Sequence, residues 1–241
     1  MIRRVKGVAW WFLGWLAGCA FFVTGEVCLA EEQFPDLTLA DAEQIVHKQS
    51  GPNGDTYALD LELFDKKGAA AWQRAASYPP TFTNEKEREE TVKLVQFLIK
   101  VVEVASKQFE SNSGLAQRAA NNYRMAVNLD IPDVKQQVAN AKRWYELVLK
   151  MSPRDAEIHE LYGSFLCSVS ECKAGLPYLE QARALGSNAA LFDLGLAYLE
   201  SDVPKATQYL EEYRKYQPSD QRAEEVLKAI RSGAKIESTV R

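Results

Sequence analysis

The sequence predicts an all-α protein in which helical hairpins repeat along the chain. From residue 85 onward, apolar residues recur three and four positions apart in one segment after another, as in amphipathic helices. Short breaks rich in Pro, Gly and Asp separate these segments, and three helix pairs of about 32–34 residues each follow one another. No partner strand is evident for the one run that alternates like a strand.

The first 30 residues have the layout of an export signal. Basic residues at positions 3, 4 and 6 precede an apolar run from Val8 to Val23, and a short polar segment ends at Ala30. Three interpretations stay open: cleavage after Ala30, lipid attachment at Cys19 of the lipobox-like Leu16-Ala17-Gly18-Cys19, and an uncut membrane anchor. All three place residues 31–241 outside the cytoplasm, in the periplasm or secreted.

Cleavage after Ala30 is favoured, because Cys28 and Ala30 supply the small side chains that signal peptidase subsites accept. Peptide mapping of the mature protein is therefore expected to find Glu31 at the amino terminus. A lipid-modified Cys19 or an intact leader at that terminus would contradict this prediction.

Composition limits the classes of partner. Removing residues 1–30 changes the formal net charge from −4 to −6, which argues against nucleic acid as a partner.

Two cysteines remain, Cys167 and Cys172, and an oxidising compartment favours a disulfide between them over two small buried thiols. No metal site is expected, since two cysteines without nearby histidines supply half of a zinc shell.

Residues 31–112 are predicted to form a helical lead-in. Thr38 caps a helix over Leu39–Gln49. The run Tyr57–Phe64 fits either a strand or a helix; helix is favoured, paired across Gly68 with Ala69–Ser77, and Tyr78-Pro79-Pro80 stops that second helix. A long helix from Glu85 to Phe109 follows, capped by Asn84 with Glu87 in a capping box, and its apolar middle predicts that it is sandwiched between neighbours.

Residues 115–232 are predicted to contain three hairpins and a last helix, followed by a polar tail at 233–241. The seven predicted helices are Leu115–Asn128, Val134–Lys150, Ala156–Ser168, Ala174–Leu185, Ala189–Glu200, Pro204–Tyr216 and Asp220–Arg231.

The positions of small and bulky residues in these hairpins resemble a tetratricopeptide repeat array. Gly163 and Gly195 lie midway along first helices, where that family places a small residue at the crossing of the second helix. Small residues early in the second helices are Ala141, Gly175 and Ala206; bulky residues four positions later are Tyr145, Leu179 and Leu210; closing prolines are Pro153 and Pro218. The first hairpin departs from the pattern, because its first helix lacks the glycine.

The resemblance implies a right-handed superhelix whose first helices line a groove for a peptide or a partner helix. The residues expected to line it are Glu157, Glu160 and Ser164 in the second hairpin, and Phe192, Leu196 and Leu199 in the third. An acidic shelf beside an apolar strip suits a basic or amphipathic segment. The alternative interpretation is that Phe192 and Leu196 pack on the last helix or on the long helix.

Function is predicted to be non-enzymatic: an exported adaptor or assembly factor that binds a protein of an envelope complex, without a cofactor. The two histidines, His47 near a predicted helix end and His159 at a packing position, lack companions at metal-ligand spacing. One alternative is a small-molecule-binding or hydrolytic protein with its site in residues 31–112, near Trp72, Tyr78, Asp60 and Glu62. A purely structural lipoprotein is the other.

Overall fold

The structure, a computed structural model, describes residues 43–51, 54–106 and 112–233, all of which belong to one unit that runs from Pro35 to Arg241. The expected leader, its cleavage after Ala30, lipidation at Cys19 and the Thr38 cap lie outside these residues. So do residues 107–109 of the long predicted helix, and all of the polar tail but Gly233. Among the described helices, none combines the length and the apolar character that a membrane span requires.

The described part of the chain contains nine α-helices and one β-hairpin, which confirms the predicted fold class in its main feature. The helices are α1 (Leu61–Ala75), α2 (Glu85–Ser106), α3 (Ser113–Asn128), α4 (Val134–Met151), α5 (Ala156–Ser168), α6 (Cys172–Ala184), α7 (Ala190–Ala197), α8 (Val203–Tyr216) and α9 (Gln221–Ser232). The strands are β1 (Val46–Gly51) and β2 (Gly54–Leu59), preceded by a 3-10 turn at Glu43–Ile45. Helices α3 to α9 closely follow the seven predicted ones.

The β-hairpin corrects two predictions. Val46–Gly51 is a strand and not the end of a helix, and it pairs antiparallel with Gly54–Leu59 in a register that joins Val46 to Leu59. Ile45 is fully buried in the core, and its carbonyl accepts the Asp60 N–H at 2.9 Å. The strand that pairs with Tyr57–Leu59 thus lies in a segment whose sequence pattern predicted a helix. The local pattern alone could therefore not reveal the pairing.

Helix α1 also differs from the prediction, because it runs unbroken through Gly68. Asp60 caps it by accepting the Leu63 N–H at 2.9 Å, and Ala76 follows its last residue. Nothing lies within 4 Å of the place where a Cβ would stand on Gly68. The glycine therefore marks neither a turn nor a close contact.

Helix α2 begins as predicted. Asn84 Oδ1 accepts the Glu87 N–H at 2.9 Å, while the Glu87 carboxylate accepts the Thr83 N–H at 2.7 Å and pairs with Arg74. Partial burial alone would raise the pKa of Glu87, but the hydrogen bonds from Thr83 and Arg74 outweigh it and hold that pKa below its usual value. The middle of α2 is buried on several sides, at Leu94, Val95, Leu98, Val101 and Val102.

Close crossings set the geometry of the second and third hairpins. A Cβ added to Gly163 would lie 2.7 Å from Leu179 Cγ and 2.9 Å from the Gly175 carbonyl oxygen, so α5 and α6 meet almost backbone to backbone. A Cβ on Gly195 would lie 2.6 Å from Leu210 Cγ, which gives α7 and α8 the same contact. The predicted positions of these crossings are thus confirmed.

The core divides into two clusters of buried side chains. The first runs from Ile45 to Leu166 and unites the β-hairpin with α1 to α5. The second runs from Leu179 to Leu227 and unites α6 to α9. Helix α6 serves both, because Tyr178 packs against the first cluster and Leu179 belongs to the second.

The crossings predict how alanine substitutions affect stability. Gly163→Ala and Gly195→Ala are each expected to lower the free energy of unfolding by about 1–3 kcal/mol, because the new methyl group must push helices apart. The matched control is Gly68→Ala, which is expected to raise the free energy of unfolding by about 0.5–1 kcal/mol. The substitution replaces a flexible residue within α1 at a position where there is open space for a methyl group. Urea unfolding measures all three; an unchanged Gly163→Ala protein would contradict the crossing geometry.

Candidate first-helix face

The first helices of the three hairpins, α3, α5 and α7, contact one another along one side of the molecule, which we call the first-helix face. Arg124 of α3 reaches α5, where its Nη1 donates to the Leu161 carbonyl at 3.2 Å and its Nη2 lies 3.5 Å from Ser164 Oγ. Burial raises the pKa of Asp193 on α7, and Arg124 and Ser164 both act to lower it, with a smaller effect. Arg124 and Asp193 thus extend the set of residues predicted for this face.

Arg124 is the centre of the face. It is only 8% exposed, its Nε donates to the Ala76 carbonyl at 3.0 Å, and its guanidinium lies 5.4 Å from the Trp72 ring centroid. A cation is favourable at the carboxyl end of α1, where carbonyl groups lack helical partners. The residue therefore anchors the lead-in helix on the repeats.

The predicted acidic residues lie beside this arginine. Glu157 is exposed, whereas Glu160 is half-buried and its Oε2 accepts the Ser187 hydroxyl at 2.7 Å. Burial raises the pKa of Glu160, with a further increase from Glu157, against the lowering effects of Ser187 and Arg124. Ser187 and Arg124 therefore offset only part of the negative charge of these carboxylates.

Asp193 is the most perturbed carboxyl group of the face. Burial, followed by repulsion from Glu160, raises its pKa to about 7, although Arg124, Ser164 and Arg222 act in the opposite direction. Three carboxyl groups thus share one side of the molecule with one buried arginine. The face carries excess negative charge when all three are ionised.

The predicted apolar strip is divided between core and surface. The Phe192 ring centroid lies 5.3 Å from that of Tyr213 on α8, and the Arg222 guanidinium of α9 covers it at 4.6 Å. Leu196 is 38% exposed and Leu199 is half-buried. Phe192 therefore packs on the last two helices, while Leu196 is accessible to a partner.

The two cysteines lie at the turn between α5 and α6. Their Sγ atoms are 2.14 Å apart, a bonding distance. Cys167 Sγ also lies 3.2 Å from the place where a Cβ would stand on Gly175, next to the Gly163 crossing. A bridge here would fix the turn of the second hairpin.

The four residues named for the alternative site in 31–112 have different settings, and Tyr78 among them is half-buried. Asp60 caps α1, Glu62 is exposed, and Trp72 lies under Arg124. His47 is exposed on β1 and not at a helix end, which corrects its predicted setting.

His159 occupies a packing position, as predicted: its Nε2 is 3.1 Å from the Pro153 carbonyl oxygen and its ring is 6.0 Å from that of Tyr178. No group of three or more metal-ligating side chains occurs in the part of the chain that the structure describes.

Comparison with known proteins finds similarity to solved structures only. No family model matches the chain, and no curated protein matches it. A thermophilic tetratricopeptide-repeat protein from Thermus thermophilus is 15% identical, with a TM-score of 0.49 over 68% of this chain and 88% of that chain. The description of the fold rests on this chain's own contacts, whose small-residue crossings at Gly163 and Gly195 agree with a tetratricopeptide-like array.

Because Phe192 packs in the core and Leu196 is exposed, replacing each with serine is expected to change the stability by different amounts. Phe192→Ser is expected to lower the free energy of unfolding by about 2 kcal/mol, because it removes a half-buried ring from the second core cluster. Leu196→Ser is expected to change it by less than about 0.5 kcal/mol, since much of that side chain is already in water. Urea unfolding of both variants checks the assignment; equal losses would show that Leu196 also belongs to the core.

Proposed function

We propose that this chain is a non-enzymatic interaction module whose first-helix face binds a basic, amphipathic segment of a partner protein. The observation that carries the proposal is the excess of carboxyl groups, Glu157, Glu160 and Asp193, beside the exposed Leu196. Arg124 lies on the same face, but its three nitrogen atoms contact Ala76, Leu161 and Ser164 within the chain. A partner therefore meets mainly negative charge and one apolar side chain.

The negative charge of the first-helix face favours binding of a basic segment. Glu157 is exposed and can pair with a lysine or arginine at the rim. Asp193 and Glu160 are half-buried and have lost part of their hydration on folding. Contact with a cation of the partner would compensate for that loss. Leu196 adds apolar contact area, and repeat arrays use surfaces of this kind for extended peptides and helices.

We further propose that residues 31–241 work outside the cytoplasm, in the periplasm, as an adaptor or assembly factor of an envelope complex. The layout of residues 1–30 as an export signal supports this proposal. The even pair of cysteines left after such a cleavage, five residues apart, supports it as well, because disulfides persist in oxidising compartments. Attachment to the membrane would then require a lipid at Cys19 or an uncut anchor.

In-cell photo-crosslinking tests the partner. A photoreactive residue at position 196 of the full-length protein is expected to capture one dominant envelope protein, identified by mass spectrometry. Glu157→Lys, with the crosslinker kept at position 196, is expected to reduce capture at least about tenfold, because it reverses a charge on the face.

The matched control is Glu225→Lys, which makes the same charge reversal on the exposed surface of α9. Capture is expected to survive this change. Equal loss with both variants, or no enriched protein in repeated captures, would contradict the proposed face.

A further inference from the structure

A cluster of aromatic and charged side chains joins α6 of the second hairpin to the third hairpin. Its members are Glu180 of α6, Tyr198 directly after α7, and Lys205 and Tyr209 of α8. The Lys205 Nζ lies 3.3 Å from Glu180 Oε1 and 3.9 Å from the centroid of the Tyr198 ring. The ammonium group of this lysine therefore contacts a carboxylate and the face of an aromatic ring at the same time.

The two tyrosines and the carboxylate hold one another in place. The rings of Tyr198 and Tyr209 are stacked, with centroids 5.9 Å apart and planes inclined by 25°. The Tyr209 hydroxyl donates to Glu180 at 2.9 Å, and the Tyr198 hydroxyl donates to the same carboxylate at 3.3 Å. Tyr209 is only 4% exposed, so the core fixes its ring. We call Glu180, Tyr198 and Tyr209 the aromatic cage.

The chemistry of the aromatic cage suits an ammonium group. The face of an aromatic ring carries partial negative charge and attracts a cation that lies over it. The Lys205 Nζ is 5.7 Å from the centroid of the Tyr209 ring, within the range of this attraction, so both rings contribute. The ionised carboxylate of Glu180 adds an ion pair. Aromatic rings combined in this way are a common means of binding alkylammonium ions in proteins.

Lys205 is an exchangeable occupant of the aromatic cage. The side chains of Lys205 and Glu180 are each 37% exposed, so water and solutes reach the ammonium group. An ion pair with this exposure is weak. Lys205 also lies in the first turn of α8, where a cation is unfavourable beside backbone N–H groups without helical partners. The lysine can therefore leave while the tyrosine hydroxyls keep the carboxylate in place.

A second cation near the aromatic cage has a carboxylate of its own. The Arg183 guanidinium of α6 lies 5.1 Å from the centroid of the Tyr209 ring, and its Nη2 is 3.3 Å from Glu212 Oε2 of α8. Glu212 thus offsets the charge of this arginine. Glu180 remains available to the ammonium group that occupies the cage.

We infer that Glu180, Tyr198 and Tyr209 form a binding site for an alkylammonium group, which Lys205 occupies in the unliganded protein and leaves when a ligand binds. The ligand is either a small free amine or a lysine side chain of a partner, since both present the same group to the aromatic cage. The site lies between α6 and α8 and uses no residue of the first-helix face. The inference therefore does not depend on the proposed function.

Nuclear magnetic resonance titration of the full chain with labelled tyrosine rings tests the inference. The probes are tetramethylammonium, for a free quaternary amine, and n-butylammonium, for a lysine side chain, with sodium chloride keeping the ionic strength constant. Lys205→Ala is expected to show saturable shifts of the Tyr198 and Tyr209 signals. Its affinity is expected to be at least about tenfold higher than that of the wild type, because the tethered lysine competes at a high effective concentration.

The two probes separate the two sources of the ammonium group. Preference for tetramethylammonium would identify a free quaternary amine as the ligand, because no protein side chain of the common set carries that group. Preference for n-butylammonium would identify a primary amine, as on lysine. Either result supports the aromatic cage.

Two further variants control the test. Lys215→Ala removes an exposed lysine from the same helix and is expected to titrate as the wild type does. Tyr198→Leu, added to Lys205→Ala, is expected to lower the affinity at least about tenfold, since leucine has no aromatic face. Lys205→Gln, which also lacks the charge, serves should Lys205→Ala fail to fold. Absence of saturable shifts with both probes, or unchanged affinity after Tyr198→Leu, would overturn the inference.

Discussion

The close backbone approach at Gly163 and Gly195 is the constraint on which the repeat architecture depends. A side chain at either position would occupy the space of a leucine on the facing helix. The two helices of each pair therefore approach closely at the glycine, and a larger residue there would push them apart. Tyr145 and Tyr162 pack between the first and second hairpins, with ring centroids 5.3 Å apart. The crossings thus fix each hairpin, and aromatic side chains join one hairpin to the next.

Arg124 shows how a single buried charge can organise elements that are distant in sequence. Its hydrogen bonds reach Ala76 after α1 and Leu161 in α5, so the lead-in and the second hairpin are fixed to the same residue of the first. Asn128, one turn later, adds a hydrogen bond to the Ala75 carbonyl at 2.9 Å. A buried guanidinium is tolerated because it donates hydrogen bonds to the Ala76 carbonyl, which lies beyond the end of α1, and to the Leu161 carbonyl. The same charge partly offsets the carboxyl groups of α5 and α7.

Helical periodicity made most of the fold predictable from sequence, since each helix from Glu85 to Ser232 carries its own apolar stripe and its own breaks. The Asn84 cap and the two glycine crossings were equally visible, because both depend on residues close in sequence or on a repeated spacing. The β-hairpin was not predictable in this way, because its two strands are identified only by their pairing with each other. Arg124 and Asp193 were missed for a related reason: a lone charged residue on a helix resembles a solvated one until its distant partners are known.

The division of the core at α6 has a consequence for how the molecule comes apart. Because Tyr178 packs against the first cluster and Leu179 belongs to the second, the helices beyond α6 have their own set of buried contacts. In a repeat array, such a terminal set is expected to open before the rest of the chain. Any molecule bound across α5 and α7 would bridge that division. Its binding free energy would then stabilise the carboxyl-terminal helices together with the first cluster.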